Sequence, residues 1–133
     1  MEWKSIRVLV TKEEVKQLEK DLAIQLPEDY KQKILSINGG ALKNAYIDLP
    51  KLGKVPYSRN VSLSKKSSFS IYDLCSRETI AKNQLFPFGT VGNGDYFCFD
   101  LKNHQVVLYL HETLKIMQVC KTYSELLSMI EYE

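Results

Sequence analysis

Apolar positions recur with two different periods along this chain, and the change of period divides it. Val15, Leu18 and Leu22 fall at i, i+3 and i+7, one stripe of an amphipathic helix. Thr11 and Glu14 stand before that stripe as a T-x-x-E capping box, so the pattern predicts a helix over Lys12–Leu22. A second helix opens at Leu26-Pro27. Proline lacks the N–H that a first turn leaves unpaired, and Glu28 and Asp29 complement the positive end of the helix dipole. Tyr30, Ile34, Leu35 and Ile37 form its apolar stripe, and Asn38-Gly39-Gly40 supplies a left-handed stop. Ahead of both helices, Arg7–Val10 reads as a short apolar strand or lead-in.

Beyond Ser68 the period shortens to two. "FSIYDL" alternates and predicts a strand, and a short helix from Arg77 to Asn83 follows with Ser76 as its cap. In "DYFCFDL", Asp95, Phe97, Phe99 and Leu101 alternate with Tyr96, Cys98 and Asp100. Further strands over Gln105–His111 and Lys115–Val119, joined by short connections, predict an antiparallel meander. Thr122 and Glu125 repeat the capping box, and Leu126, Leu127 and Ile130 give a last helix its apolar side.

Ala41–Ser68 shows little periodicity and contains Pro50, Gly53 and Pro56. "YIDL" is a short strand and the rest a long loop, a length that in a compact domain marks function or mobility. This insert concentrates charge. Lys43, Lys51, Lys54, Arg59, Lys65 and Lys66 face Asp48 alone, a net +5 in a chain whose total is +2. A near-balanced total does not announce a nucleic-acid binder, so nucleic acid is not the expected partner.

The 133 residues fit one domain, 1–133, with one core. A content of 44% hydrophobic and 26% charged residues excludes a disordered chain. Glu2, Lys4 and Arg7 interrupt the opening decapeptide, which lacks the apolar run of about 7–15 residues of a signal peptide. No stretch approaches the ~20 apolar residues of a membrane span. The expected location is the cytoplasm. Cys75, Cys98 and Cys120 form no C-x-x-C pair and are odd in number, which fits reduced thiols. Each is either a small buried hydrophobe or half of a Cys–His nucleophile.

The chemistry-bearing stretch is "LFPFGTVGNGDYFCFDL", Leu85–Leu101. Gly89, Gly92 and Gly94 are spaced in the reverse order of a dinucleotide fingerprint, and a strand follows where a phosphate site needs a helix N-terminus. Asn93-Gly94 instead suits a tight hairpin turn with positive φ at both centres. No cofactor and no metal are expected, since His104 and His111 are not at ligand spacing. His111-Glu112 is an acid/base pair by adjacency, yet neighbours in a strand point to opposite faces. Asp95 is either a general base or an acceptor for amides of its own turn. Aromatic Trp3, Tyr46, Tyr57, Tyr72, Tyr96 and Tyr109 serve as partner anchors or core. The candidate contact residues are Tyr57, Arg59, Tyr96, His104, His111 and Glu112.

"LPEDYKQKILSINGG" (Leu26–Gly40), the Leu85–Leu101 stretch, "VVLYLHE" (Val106–Glu112) and "TYSELLSMI" together resemble the SUKH superfamily, named for fungal Smi/Knr-type regulators and bacterial Syd. Ala41–Ser68 has no recognised counterpart in that resemblance. It implies an α+β fold with a central, mostly antiparallel sheet flanked by helices. It also implies no shared catalytic residues, hence no enzyme, with Pro27, Gly39, Gly40, Gly92, Gly94 and Asp95 as structural positions. Many bacterial members look like immunity proteins that bind and block a cognate polymorphic toxin, so a protein partner is implied. The other expectation is a regulator that binds RNA or an acidic ligand through residues 41–68.

Overall fold

The computed structural model describes residues 1–6 and 8–133, so position 7 of the expected lead-in lies outside the described residues. Helix α1 spans Lys12–Leu22 with its capping box formed in both directions between Thr11 and Glu14. Helix α2 spans Glu28–Ile37 behind Pro27, whose carbonyl accepts from the Lys31 amide. Tyr30, Ile34 and Ile37 are its buried face.

The insert is not a long loop. It forms strands β1 (Ala45–Leu49), β2 (Gly53–Pro56) and β3 (Arg59–Asn60). Gly53, at φ +73°, turns β1 into β2. The expected "YIDL" strand is β1, buried at Ala45, Ile47 and Leu49; β2 and β3 lie in the stretch expected to be loop, where prolines and lysines interrupt the pattern.

"FSIYDL" is helical from Ile71, contrary to its alternation. Helix α3 (Ile71–Cys75) starts on a capping box in which Ser70 caps and Asp73 reaches back to the Ser70 amide. That local hydrogen bonding outweighs a two-residue period six residues long. Ser76 consequently ends α3, its Oγ donating to the Asp73 carbonyl, and does not cap α4 (Glu78–Lys82), which begins at Arg77.

The meander follows as β4 (Leu85–Thr90), β5 (Tyr96–Asp100), β6 (Val106–Leu110) and β7 (Lys115–Cys120). Helix α5 (Tyr123–Met129) is capped by Thr122, and Ile130 leaves it to open a short strand, β8 (Ile130–Tyr132). A five-stranded sheet runs β3-β4-β5-β6-β7 and a three-stranded sheet β2-β1-β8, with all pairings antiparallel. The architecture is α+β.

The core is aromatic. Tyr30 stands edge-on to Phe99 at 5.0 Å and to Tyr123 at 5.1 Å, and Phe88 stacks on Phe99 at 4.3 Å. This cluster ties α2 and α5 to the sheet. Residues 59–64 are pinned to the end of α2 by two buried asparagines. Asn38 Nδ2 donates to the Val8 carbonyl and Ser62 Oγ, and its Oδ1 accepts from the Leu63 amide. Asn60 Nδ2 donates to the Ile37 carbonyl. Buried amides are tolerated because these bonds replace water.

Candidate functional site

The Asn-Gly-Gly end of α2 is the structural device that its sequence suggests. Gly39 sits at φ +71°, and a side chain at Gly40 would press on the Ile37 carbonyl, Ile6 and Trp3. Gly92 (φ +107°) and Gly94 (φ +99°) likewise shape the β4–β5 connection. Asn93 does not share their positive φ, so this is a five-residue loop from Val91 to Asp95 and not the expected two-residue turn. Asn93 Oδ1 accepts from the Asp95 amide, which is the turn bond expected of the Asp95 carboxylate.

Asp95 has a different task. Its Oδ1 accepts from the His111 backbone N–H at 3.0 Å and lies 2.6 Å from His111 Nδ1. An ionised carboxylate can only accept, so Nδ1 donates; Nε2 is then an acceptor in the neutral ring and a donor in the protonated one. Gly94 lies under the imidazole, where an added Cβ would stand 3.0 Å from Nδ1. The pairing of β5 with β6, Tyr96 opposite Tyr109, brings these residues together across sixteen positions of chain. Spacing along the sequence carried no signal for it. His111 and Glu112 themselves lie beyond β6 in the turn that leads to β7, both exposed, so the strand-parity argument about them does not apply.

The remaining candidates separate. Tyr57 is 1% exposed: it stacks near Phe97 at 5.4 Å, donates to Asn60 Oδ1 at 2.7 Å and lies against Gly89. Tyr96 is buried as well. Neither ring is on the surface. His104 closes the opposite end of the β5–β6 hairpin, its Nε2 2.8 Å from the Gln25 carbonyl, so it does not join His111 in one patch. Nor do β5 and β6 form a sheet edge, because β4 and β7 flank them. Arg59 is exposed and donates through Nη1 to the Gly39 carbonyl at 2.7 Å.

Burial pushes the thiols of Cys75 and Cys120 up to about 11 and that of Cys98 well above its ordinary value, which holds all three as weakly nucleophilic thiols. Among the described residues there is no cluster of three or more metal-ligating side chains, and no helix is long and apolar enough to cross a membrane.

The five-stranded sheet ends differently on its two sides. At β3, Arg59 bridges to Ala41 and Ala41 to Lys4, so main chain continues the pairing. At the other side, among the described residues β7 pairs with β6 alone. Apolar side chains stand open on either side of its first residue, the exposed Lys115: Leu114 in the preceding turn is 57% exposed at φ +58°, and Ile116 is 40% exposed. A leucine in the left-handed region is a strained choice, sterically penalised at Cβ. Sequence periodicity identifies β7 as a strand but does not tell that, among the described residues, no second strand pairs with it.

The chain thus holds a helix-flanked five-stranded sheet whose β7 edge is unpaired among the described residues, and a three-stranded sheet edged by β2 and β8. The chain belongs to the SMI1 / KNR4 family (SUKH-1), whose family model matches residues 9–129. The matched range runs across residues 41–68. The family is known for immunity-type proteins, has other members besides, and is generally non-enzymatic. No curated protein matches the chain significantly.

Proposed function

We propose that this protein is a cytoplasmic bacterial immunity protein, a single domain over residues 1–133 that neutralises a cognate polymorphic toxin by occluding it. The observation that carries this reading is the open β7 edge. An exposed apolar edge strand invites pairing by another chain, and proteins that keep one either protect it or use it. Strand addition supplies main-chain hydrogen bonds for affinity, while Leu114 and Ile116 supply side chains for specificity. The exposed His111 and Glu112 lie in the turn entering that strand, where Asp95 fixes the direction in which the imidazole presents Nε2. Family membership supports a protein partner in general.

Co-expression with the toxin gene that neighbours this protein's gene tests the reading. Growth is restored by the parent protein and lost on L114D/I116D, which alters only exposed positions. Failure of the parent protein to rescue growth from any neighbouring toxin contradicts it.

A further inference from the structure

A groove of about 440 Å³ lies between the segment Arg59–Phe69, the end of α2, Ser5 and Val8. Its floor is rigid, because the buried Asn38 and Asn60 that line it are fully engaged with main chain and with Ser62 and Tyr57. Among the described residues its lining contains Arg59 and Lys66 and no carboxylate. The insert's cations are not equivalent. Lys54 meets Glu133 at 3.6 Å and Lys65 meets Asp21 at 3.4 Å, whereas among the described residues Arg59 and Lys66 have no carboxylate within 4.0 Å.

Arg59 is aimed by its bond to the Gly39 carbonyl, which uses one of a guanidinium's five N–H donors. The negative end of the α2 dipole opens here and would oppose an anion. Its carbonyls are already covered: the Ile37 carbonyl accepts from Asn60 Nδ2 and the Gly40 amide, and that of Gly39 from Arg59. At the rim Phe69 is 43% exposed, with the Arg77 guanidinium 6.0 Å from its ring.

We propose that this groove binds an acidic segment of a protein partner, its carboxylates on Arg59 and Lys66 and a neighbouring apolar side chain on Phe69. The proposal rests on the reading of the chain as a binder of proteins and adds a second contact, separate from β7. A nucleic acid fits less well. Phosphate-driven binding draws on many cations, roughly 6–10 contacts in a strong case, and among the described residues the groove's lining offers two.

The test is a titration of the full-length, ¹⁵N-labelled protein with a short synthetic peptide of Glu residues around one Leu. The Gln-for-Glu peptide and a single-stranded oligonucleotide of equal charge serve as comparisons. Amide shifts at Gly39, Asn60, Ser67 and Ser68 with the acidic peptide alone are expected. K66E, whose side chain makes no ion pair in the fold, weakens binding roughly tenfold or more; K66R retains it. No shift with the acidic peptide, equal shifts with the Gln peptide, or tighter binding of the oligonucleotide overturns the proposal. Growth rescue is read separately: its loss with peptide binding intact removes the toxin reading, and its persistence without peptide binding removes the groove.

Discussion

The Tyr57 ring occupies the space where any other residue at position 89 would place its Cβ, so Gly89 and Tyr57 specify one another. That pair joins the insert to the meander, since Tyr57 stands between β2 and β3 and Gly89 pairs with Phe97 beyond a bulge in β4. G89A therefore overpacks a site with no room to give, at a cost of about 1–3 kcal/mol or more. Chemical denaturation reads this as a lowered midpoint, and an unchanged midpoint would show that the ring moves freely.

Asn38 makes three hydrogen bonds while fully buried, and its loss orphans the Leu63 amide and the Val8 carbonyl. N38A is expected to cost roughly 2–4 kcal/mol, at about 1–3 kcal/mol for each buried group left unsatisfied. Hydrogen exchange of the Leu63 amide should accelerate more than that of the β5 and β6 amides. Uniform acceleration would mean that the asparagine supports the whole fold and not the insert.

Tyr30 presents the reverse case. Its hydroxyl is buried with no hydrogen-bond partner among the described residues, and burial raises its pKa well above the ordinary value, with Tyr123 adding to the effect. Y30F removes an unsatisfied polar atom and keeps the ring that packs on Phe99. Stability should stay level or rise by about 1 kcal/mol, where a satisfied hydroxyl would give a loss of similar size.

Alkaline pH should weaken the fold as the buried thiols ionise. Desolvation raises Cys75 from 9.0 to about 11, and desolvation followed by the Glu125 carboxylate does the same for Cys120. The folded state thus keeps protons that the unfolded chain releases. This contribution is complete below about pH 9 and is lost as pH climbs through about 11. Urea midpoints measured on both sides of that window should fall with rising pH, and the fall should shrink in C75A/C120A.

Much of the fold can be read from the chain because its signals are local. The Thr11–Glu14 capping box gives α1 its observed limits, and alternation gives β5 to β7. Where two local signals competed, at Ser70–Cys75, six alternating residues suggested a strand and the Ser70–Asp73 cap made a helix. The site is less legible. Asp95 meets His111 through strand register, Tyr57 is buried by a glycine thirty-two positions on, and the openness of β7 depends on what the rest of the chain leaves uncovered. None of these is a property of spacing.

Leu114 carries the cost of a left-handed backbone while facing solvent. L114G should therefore leave the isolated protein as stable or more so, by up to about 1 kcal/mol, and still weaken capture of the partner. Thermal unfolding and a pull-down of the toxin domain separate the two effects. A destabilised L114G that binds normally would assign the leucine to the fold.

Occlusion, as opposed to chemistry on the partner, is tested most directly by titrating the activity of a fixed amount of purified toxin domain with this protein. The account predicts a linear loss of toxin activity that ends at one equivalent, with the toxin recovered at unchanged mass. Complete inactivation by a small fraction of an equivalent, with the toxin covalently altered, would contradict it.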